Sequence, residues 1–181
     1  MIRDIATLRT DRLVLRPLRA DDAEAIEHGA NNLDVARWLS VVPFPYTRAD
    51  ADAFLSSKAV EPRVTWAICD DAGLCGVVSI RPELGYWIAR DRWGRGYLTE
   101  AGRAARDAAF ADPTRRSLGA RHMVGNERSA RVLAKLGFRV VGQRTDYYRA
   151  LNQDCQSAVL TLSRADWRRL SRTEQPYRAR A

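Results

Sequence analysis

A change of hydrophobic period across one short segment constrains the fold of this chain more than any other feature of its sequence. The residues LGYWIA at 84–89 have the composition of a strand. Alanines then recur at the 3.6-residue spacing of a helix, at Ala101, Ala104, Ala105, Ala108 and Ala109. Gly94 and Gly96 lie between the two patterns, and Pro113 ends the second. The sequence WGRGYLTEA therefore predicts a glycine-containing turn that leads from a strand into a helix.

Such a turn is a favourable place to hold an anion. The first N–H groups of a helix have no partner within the helix, and they lie at its positive end. Gly94 and Gly96 have no Cβ to keep a phosphate away from the backbone, and Arg95 adds charge. The segment has neither the GKS or GKT of a P-loop nor the dinucleotide fingerprint GxGxxG. Taken alone, it is equally compatible with a plain connection.

The other patterns predict a mixed α/β domain. Alternating residues around Leu13 and Leu15 predict a first strand, and Asp21 and Thr47 are candidate N-caps for two helices. VTWAIC and LCGVVSI flank the turn DDAG as a hairpin. SLGARHM predicts a strand, ERSARVLAKLGF a helix that ends at Gly137, and FRVVGQR and SAVLTLS two further strands before the helical turn RADWRRL. We expect a largely antiparallel sheet of six to seven strands, flanked by about four helices.

Length and composition indicate one folded domain. The chain has 181 residues, of which 46% are hydrophobic and 29% charged, a balance typical of globular proteins. We expect the domain to span 1–170, followed by a basic, flexible tail at 171–181. The sequence has no apolar run that reaches the ~20 residues of a membrane span and no apolar centre of a secretory signal, so a cytoplasmic location is the expectation.

Charge and cysteine content argue against two classes of site. The net charge is +8, but the arginines are spread along the chain without a nucleic-acid-binding motif, which favours a solvated basic surface over nucleic-acid binding. Cys69, Cys75 and Cys155 lack CxxC spacing and neighbouring histidines. We expect reduced thiols and no metal site.

Four stretches, taken in order, resemble the GNAT superfamily of acyl-CoA-dependent N-acetyltransferases, and in particular the branch that contains the ribosomal-protein N-terminal acetyltransferases. They are LRTDRLVLRPLRADDAEAI, PFPYTRADADAFL, LGYWIARDRWGRGYLTEA and NERSARVLAKLGFRVVG, which together extend over roughly 8–168. In the superfamily's phosphate-loop pattern, Trp93 takes the first place, Gly96 that of the glycine, and Leu98 a position more often alanine or glycine. The resemblance implies the GNAT fold, with a splayed pair of central strands.

The resemblance also implies how acetyl-CoA would be bound. The turn with Gly94 and the N–H groups of Arg95, Gly96, Tyr97, Leu98 and Thr99 would hold the pyrophosphate. The strand Tyr86 to Ala89, with Trp87 and Ile88, would pair its backbone with the pantetheine arm like an added strand. Tyr86 and Trp87 are equally typical of core aromatics. Asn126 is a good N-cap for the helix 127–136, and its match to a family asparagine implies contact with the cofactor arm.

Acetyl transfer to an amine requires a base, stabilisation of the tetrahedral oxygen and a proton for the departing thiolate. Our candidate base is Glu83, which the turn RPELG could equally carry as an exposed carboxylate. The N–H of Ile88 would hold the oxyanion. The resemblance assigns Ser129 as general acid, since Leu133 stands where many members have a tyrosine. Tyr147 and Tyr148 are alternatives, and Ser129 could equally be a helix-start hydroxyl.

Several functions remain open on the sequence alone. The first is direct acetyl transfer to a primary amine, such as a protein N-terminal α-amine. The others are a small-molecule amine or antibiotic acetyltransferase, a CoA-binding module without turnover, and a basic RNA-associated protein. We expect the acceptor pocket to be formed by the first two helices, the loop VVPFPYT and the hairpin RTDYYRALNQD. A monomer and a homodimer are equally compatible with the sequence.

Overall fold

The described residues, 7–57, 60 and 64–173, form two antiparallel sheets flanked by helices in the computed structural model. The first sheet has the order β1-β2-β3-β4-β5, with strands Leu8–Arg9, Val14–Pro17, Thr65–Asp70, Gly73–Ser79 and Gly85–Ile88. The second has the order β6-β8-β7, with β6 at Ser117–Met123, β7 at Arg139–Tyr148 and β8 at Gln153–Ser163. This arrangement confirms the predicted mixed α/β class.

The two sheets meet at one point, between β5 and β6. Leu84 and Ala120 form an isolated parallel bridge, and the N–H of Leu84 donates to the carbonyl of Gly119 at 2.8 Å. Beyond that bridge, the described residues of β5 and β6 make no further ladder. The central strands therefore separate, as the family resemblance implies.

In the described ranges, six α-helices cover the sheets: α1 at Ala23–Ala30, α2 at Leu33–Ala36, α3 at Arg48–Ser56, α4 at Tyr97–Ala111, α5 at Glu127–Lys135 and α6 at Arg164–Thr173. Helices α1 and α3 pack together around a small apolar cluster that includes Ile26, Tyr46 and Ala51. A larger core joins both sheets to α4 and the end of α5, and includes Phe110, Leu133 and Phe138.

The apolar face of α4 and the end of α5 at Gly137 agree with the sequence. Ala101, Ala104, Ala105 and Ala109 of α4 are buried, which confirms the helical period. Gly137 has φ +90°, and the next N–H, that of Phe138, donates to the carbonyl of Leu133 at 3.0 Å. This geometry closes α5 with a left-handed cap and starts β7.

Several boundaries were predicted wrongly. The short strand β1 and the four-residue helix α2, whose N-cap is Asn32, have no counterpart in the prediction. Asp21 is exposed, and the buried Asp22 instead accepts from the N–H of Arg19 at 2.7 Å. The predicted final turn is the ten-residue helix α6, so residues 171–173 of the predicted tail are helical. The rest of that tail, 174–181, lies outside the described residues.

Within the described ranges, no helix is both long and apolar enough to cross a membrane. The same part of the chain contains no group of three or more histidine, cysteine or acidic residues placed to hold a metal ion. Cys69, Cys75 and Cys155 are free thiols.

Candidate active site

A cavity of about 1070 Å³ lies where β5 and β6 separate. Of the predicted site residues, all except Ala89 and Arg95 line it. The glycine turn, the splayed strand, Glu83 and Ser129 are thus brought to one cleft, although they are spread over 83–129 of the sequence. Tyr148 lines the cavity too, whereas Tyr147 does not.

The glycine turn has the backbone of an anion site. Gly94 and Gly96 both have φ +78°, a conformation that glycine adopts without strain. Gly96 is the N-cap of α4, and its carbonyl accepts from the N–H groups of Thr99 and Glu100 at 3.1 and 3.2 Å. The N–H of Thr99 is therefore engaged. Those of Arg95, Gly96, Tyr97 and Leu98 have no acceptor within the part of the chain that the structure describes, and they remain available to a phosphate.

Trp93, the first residue of the turn motif, connects three parts of the cleft. Its Nε1 donates to the carbonyl of Ile88 at 3.0 Å, which fixes the turn against the end of β5. The guanidinium groups of Arg90 and Arg128 lie 4.5 and 4.6 Å from its ring centroid, within cation–π range. Before the turn, Arg92 donates to the buried carboxylate of Asp70 at 2.8 Å. The indole therefore holds two positive charges beside the anion site.

The edge of β5 that faces the cleft can be identified from its hydrogen bonds. Leu84 donates toward β6, and Ala89 donates to Cys75 of β4 at 2.8 Å. Because consecutive residues of a strand direct their N–H and C=O groups to opposite neighbours, Tyr86 and Ile88 present theirs to the cleft. The backbone of Trp87 faces β4 instead. The N–H of Ala89 is occupied by Cys75 and is not available to a cofactor, and the predicted contact of Ala89 with the cofactor stays a prediction.

Side chains of consecutive β5 residues reach opposite faces of the sheet. Trp87 packs so closely on α1 that a Cβ at Gly29 would lie 2.7 Å from its ring. Tyr86 extends toward α5, where its Oη lies 3.0 Å from Oγ of Ser129. Tyr86 therefore combines a core position with a hydroxyl contact to the predicted acid.

Ser129 and Tyr86 form the hydroxyl pair of the site. Asn126 caps α5 by accepting from the N–H of Ser129 at 3.1 Å, which confirms the predicted cap and fixes the serine at the start of the helix. Burial raises the pKa of Tyr86 well above its ordinary value, while its hydrogen bond with Ser129 acts in the opposite direction. Tyr86 thus stays protonated at neutral pH. Sequence reasoning missed this pairing because the two residues are 43 positions apart.

Glu83 lies on the loop before β5 and is part of an ion-pair network. Its Oε2 accepts from Nε of Arg121 at 2.6 Å, and Nη1 of Arg121 donates to Oδ1 of Asp146 at 2.9 Å. Arg144 is a second partner of Asp146, at 2.9 Å. Glu83 is half-buried rather than exposed, and Oε1 has no protein donor in the described ranges. The carboxylate is therefore held in the cleft with one oxygen available.

The two alternative tyrosines are engaged elsewhere. Oη of Tyr148 lies 2.9 Å from Oγ of Ser157, and the residue is 3% exposed. Tyr147 is exposed and bonds Asn152 at the tip of its hairpin. Neither hydroxyl is bonded to Ser129, so the geometry favours Ser129 with Tyr86 as the acid.

His122 is a further titratable residue of the cleft that sequence reasoning missed. Its Nδ1 lies 2.9 Å from the carbonyl of Met123. Because a carbonyl only accepts, a neutral ring carries its proton on Nδ1 and leaves Nε2 as an acceptor. His122 shares a face of β6 with the buried Leu118 and Ala120. Tyr86 and His122 each follow a residue of the parallel Leu84–Ala120 bridge by two positions, so they lie across the cleft from each other.

The cavity also has an apolar part, lined in part by two loops that hydrogen-bond to each other. Arg149, after β7, donates from its N–H to the carbonyl of Ser40 and from Nη1 to that of Val41, both at 3.2 Å. Burial raises the pKa of Tyr46 to about 12, so its phenol is neutral. The apolar lining includes Ile26, Ala30, Trp38, Leu39, Val42, Tyr46 and Phe54. These residues come from α1, α3 and the segment between them, and their use as an acceptor pocket stays a prediction.

Comparison with known proteins agrees with this geometry. A model of the acetyltransferase (GNAT) domain matches residues 12–139. "Uncharacterized N-acetyltransferase p20" of Bacillus licheniformis is 27% identical over 157 residues, covering 80% of this chain and 88% of the relative. "Putative ribosomal N-acetyltransferase YdaF" of Bacillus subtilis is 25% identical over 177 residues, covering 87% and 94%.

Among solved structures, the ribosomal-protein-S5-alanine acetyltransferase of Vibrio fischeri superposes with a TM-score of 0.73 at 20% identity, over 90% of this chain and 98% of that one. At this identity the likeness establishes the fold alone. The domain match extends over more than half of the chain and includes the glycine turn, the splayed strand and Ser129. The protein therefore belongs to the GNAT family of acetyltransferases.

Proposed function

We propose that the protein transfers an acetyl group from acetyl-CoA directly to a primary amine, and that the acceptor is the α-amine of a protein N-terminus. The observation that carries the proposal is the cleft between β5 and β6. In the described part of the chain, it combines N–H groups at the start of α4 that have no acceptor with the unpaired N–H and C=O of Tyr86 and the unpaired N–H of Ile88. A thioester cofactor with a pyrophosphate and an amide-containing arm matches both features.

The cleft residues fit the cofactor from one end to the other. The N–H groups of Arg95 to Leu98 would hold the pyrophosphate, at the positive end of α4. Arg128 and Arg131 line the same cavity and add positive charge. The arm would then pair with the N–H and C=O groups of Tyr86 and with the N–H of Ile88, because the carbonyl of Ile88 already accepts from Trp93.

The reaction follows from the groups that surround the end of this path. Glu83, through Oε1, accepts the proton that the amine loses as its nitrogen bonds to the thioester carbon. The N–H of Ile88 donates to the oxyanion. When the C–S bond breaks, Ser129 gives its hydroxyl proton to the thiolate and recovers one from Tyr86 Oη, 3.0 Å away. Solvent then returns a proton to Tyr86 and takes up the one held by Glu83, which completes the cycle. The acetyl group thus moves in one ternary complex, without an acyl-enzyme.

Three considerations favour an N-terminal α-amine as acceptor. Its pKa near 8 leaves more of it neutral at pH 7 than of a lysine, with a pKa near 10.4, so it demands less of the base. The carboxylates of Glu83 and Asp146, which line the cavity, are ion-paired with arginines, Glu83 with Arg121 and Asp146 with Arg121 and Arg144, and this pairing reduces their attraction for a polyamine. The relative YdaF is named a putative ribosomal N-acetyltransferase, and that name also favours a protein acceptor.

The test is an acetylation assay on a panel of amines. Acetyl-CoA is incubated with the protein and with peptides of differing N-terminal residues, polyamines or aminoglycosides, and the products are identified by mass spectrometry while CoA release is measured. We expect a mass increase of one acetyl group at the α-amine of a subset of peptides. Acetylation of polyamines or aminoglycosides in preference to every peptide would refute the proposed acceptor. Binding of CoA without turnover on any amine would refute the transferase itself.

A further inference from the structure

Arg12, in the hairpin between β1 and β2, reaches the glycine turn from outside the cavity. Its Nη1 donates to the carbonyl of Arg95 at 2.8 Å. Its Nε and Nη2 both contact Oε2 of Glu100, at 2.8 and 2.7 Å, and its guanidinium lies 5.0 Å from the ring centroid of Tyr97. One side chain therefore bridges the middle of the turn and the first turn of α4.

The contact with the Arg95 carbonyl determines the direction of one N–H group. That carbonyl and the N–H of Gly96 belong to the same trans peptide plane, so they point in opposite directions. Arg12 does not line the cavity, whereas Gly96 does. A carbonyl held by Arg12 therefore directs the N–H of Gly96 toward the cleft.

This peptide plane needs an external restraint. Gly94 and Gly96, on either side of Arg95, both have φ +78° and no Cβ, so rotation of the intervening peptides meets little steric resistance. The hydrogen bond from Arg12 is the contact in the described part of the chain that fixes the carbonyl of Arg95. Without it, the N–H of Gly96 would be free to turn away from a bound phosphate.

Glu100 in turn holds Arg12. Its Oε1 accepts from the backbone N–H of Arg12 at 2.9 Å and from Oγ1 of Thr10 at 2.5 Å. Burial alone would raise the pKa of Glu100, but the hydrogen bonds from Thr10 and Arg12 outweigh it and keep the pKa below its ordinary value. The carboxylate is therefore charged at neutral pH and anchors the guanidinium in place.

We propose that Arg12 is a positioning residue for the pyrophosphate of acetyl-CoA, acting through the Arg95–Gly96 peptide rather than by touching the phosphate. The inference rests on the proposed use of acetyl-CoA, and extends the phosphate site beyond the WGRGYLTEA segment to a hairpin 83 residues earlier in the chain. This role differs from that of arginines such as Arg128 and Arg131, which only add positive charge to the cavity. Its distinguishing consequence is a loss of affinity that is confined to ligands with a pyrophosphate and that a lysine at position 12, which keeps the charge, restores only in part.

The experiment compares CoA with pantetheine, which lacks the pyrophosphate. Backbone amide NMR titrations of the ¹⁵N-labelled full chain follow Gly96 for CoA, and Tyr86 and Ile88 for both ligands. We expect Arg12→Ala to raise the Kd for CoA about tenfold, equivalent to about 1.4 kcal/mol, and to change the Kd for pantetheine less than twofold. The CoA-induced shift of the Gly96 amide should fall in the same variant.

Two further variants complete the design. Arg48→Ala removes an exposed arginine, 55% accessible and paired with Asp52 outside the cavity, and should change neither Kd. Arg12→Lys retains the charge but can bond only one of the two partners at a time, so its Kd for CoA should lie between those of the wild type and Arg12→Ala. Should Arg12→Ala fail to fold, Arg12→Lys provides the comparison.

Equal losses for CoA and pantetheine would overturn the proposal, since they would indicate general damage to the cleft. An unchanged Kd for CoA in Arg12→Ala would overturn it as well. Failure to acetylate any amine would count against the proposed function but leave this result intact. Only a wild-type protein that binds no CoA would refute both.

Discussion

At the scale of single residues, the proposed acid of the reaction is a pair of hydroxyls, those of Ser129 and Tyr86, rather than one side chain. We expect Ser129→Ala to lower kcat about 100-fold with little change in the KM for acetyl-CoA, since a general acid acts in the transition state. Tyr86→Phe should lower kcat about tenfold, because Ser129 would recover its proton from water instead of from Oη. Steady-state kinetics on the best acceptor of the panel measure both effects.

Tyr148→Phe is the matched comparison for this pair. It deletes a hydroxyl from a second buried tyrosine–serine contact, at 2.9 Å from Ser157, and should change kcat much less than Tyr86→Phe does. A larger fall in kcat for Tyr148→Phe than for Tyr86→Phe would instead make Tyr148, one of the alternative acids of the sequence analysis, the proton donor. A rise in KM without a fall in kcat would make the Tyr86–Ser129 contact purely structural.

Gly96 combines a conformational role with a proposed binding role, and substitution can separate the two. Gly96→Val forces a β-branched residue into φ +78°, and its Cβ would lie 3.5 Å from Nη2 of Arg12. We expect the Kd for acetyl-CoA, measured by isothermal titration calorimetry, to rise tenfold or more, with a loss of stability of about 1–2 kcal/mol.

Gly73→Val is the control for backbone strain. Gly73 has φ +118° in the β3–β4 turn, and a Cβ there would meet nothing within 4 Å. It should lose comparable stability but retain its affinity for acetyl-CoA. If both variants lose affinity to the same degree, Gly96 serves the chain turn alone.

At the scale of elements, the start of α6 carries a carboxylate, that of Asp166, with several partners. Ser163 and Asp166 form a reciprocal cap, with Oγ of Ser163 2.7 Å from Oδ2 of Asp166 and the N–H of Asp166 3.1 Å from that Oγ. Arg139 and Arg169 also bond the carboxylate. The helix so started packs Trp167 on Phe110, with ring centroids 5.1 Å apart. Loss of the cap should therefore weaken the contact between α6 and α4.

The pKa of Asp166 gives this prediction a pH dependence. The hydrogen bonds from Ser163, Arg169 and Arg139 lower it to about 2, whereas an unfolded aspartate titrates near 3.9. A lowered folded-state pKa stabilises the fold above the unfolded pKa, and the stabilisation is lost as pH falls toward 2. We expect Asp166→Asn to lower the Tm by about 2–4 °C at pH 7, and the difference from wild type to shrink below pH 4. Thermal melts followed by circular dichroism measure it.

Asp52→Asn, on the exposed face of α3, serves as the reference, since its partner Arg48 is 55% accessible. Its Tm should follow that of the wild type at every pH. A Tm difference for Asp166→Asn that persists unchanged to pH 2 would mean that the carboxylate charge does not contribute through this cap.

Elements specified by local patterns were predictable from the sequence, whereas elements specified by distant contacts were not. The alanine face of α4, the glycine turn and the cap at Gly137 each follow from neighbouring residues. Helix α2 has four residues, too few for a hydrophobic period. Arg12 at Arg95 and Tyr86 at Ser129 are pairings across 83 and 43 positions, and nothing local to either residue indicates its partner.

At the scale of the whole molecule, the cleft is a discontinuity between two sheets. Within the described ranges, β5 and β6 share only the Leu84–Ala120 bridge, so the free edge of Tyr86 and Ile88 lacks the protection that a neighbouring strand would give. Trp93 fixes the carbonyl of Ile88 at 3.0 Å, and Arg128 on α5 stacks on its indole. The two sides of the cleft are thus already connected by side chains, and a ligand laid along β5 would add a backbone connection.

That arrangement predicts that CoA raises the Tm of the protein and that the amides it protects lie on β5 and at the start of α4. A ligand that binds only the folded state at 100 times its Kd stabilises it by about 2.7 kcal/mol, which for a domain of this size raises the Tm by roughly 5–10 °C. We expect saturating CoA to produce such a shift, and to slow hydrogen exchange of the amides of Tyr86 and Ile88 and of those at the start of α4. Pantetheine should protect only the two strand amides, because it lacks the group that the helix start binds. A raised Tm without protection of Tyr86 and Ile88 would place the cofactor outside the cleft, and the gap between the sheets would then need another explanation.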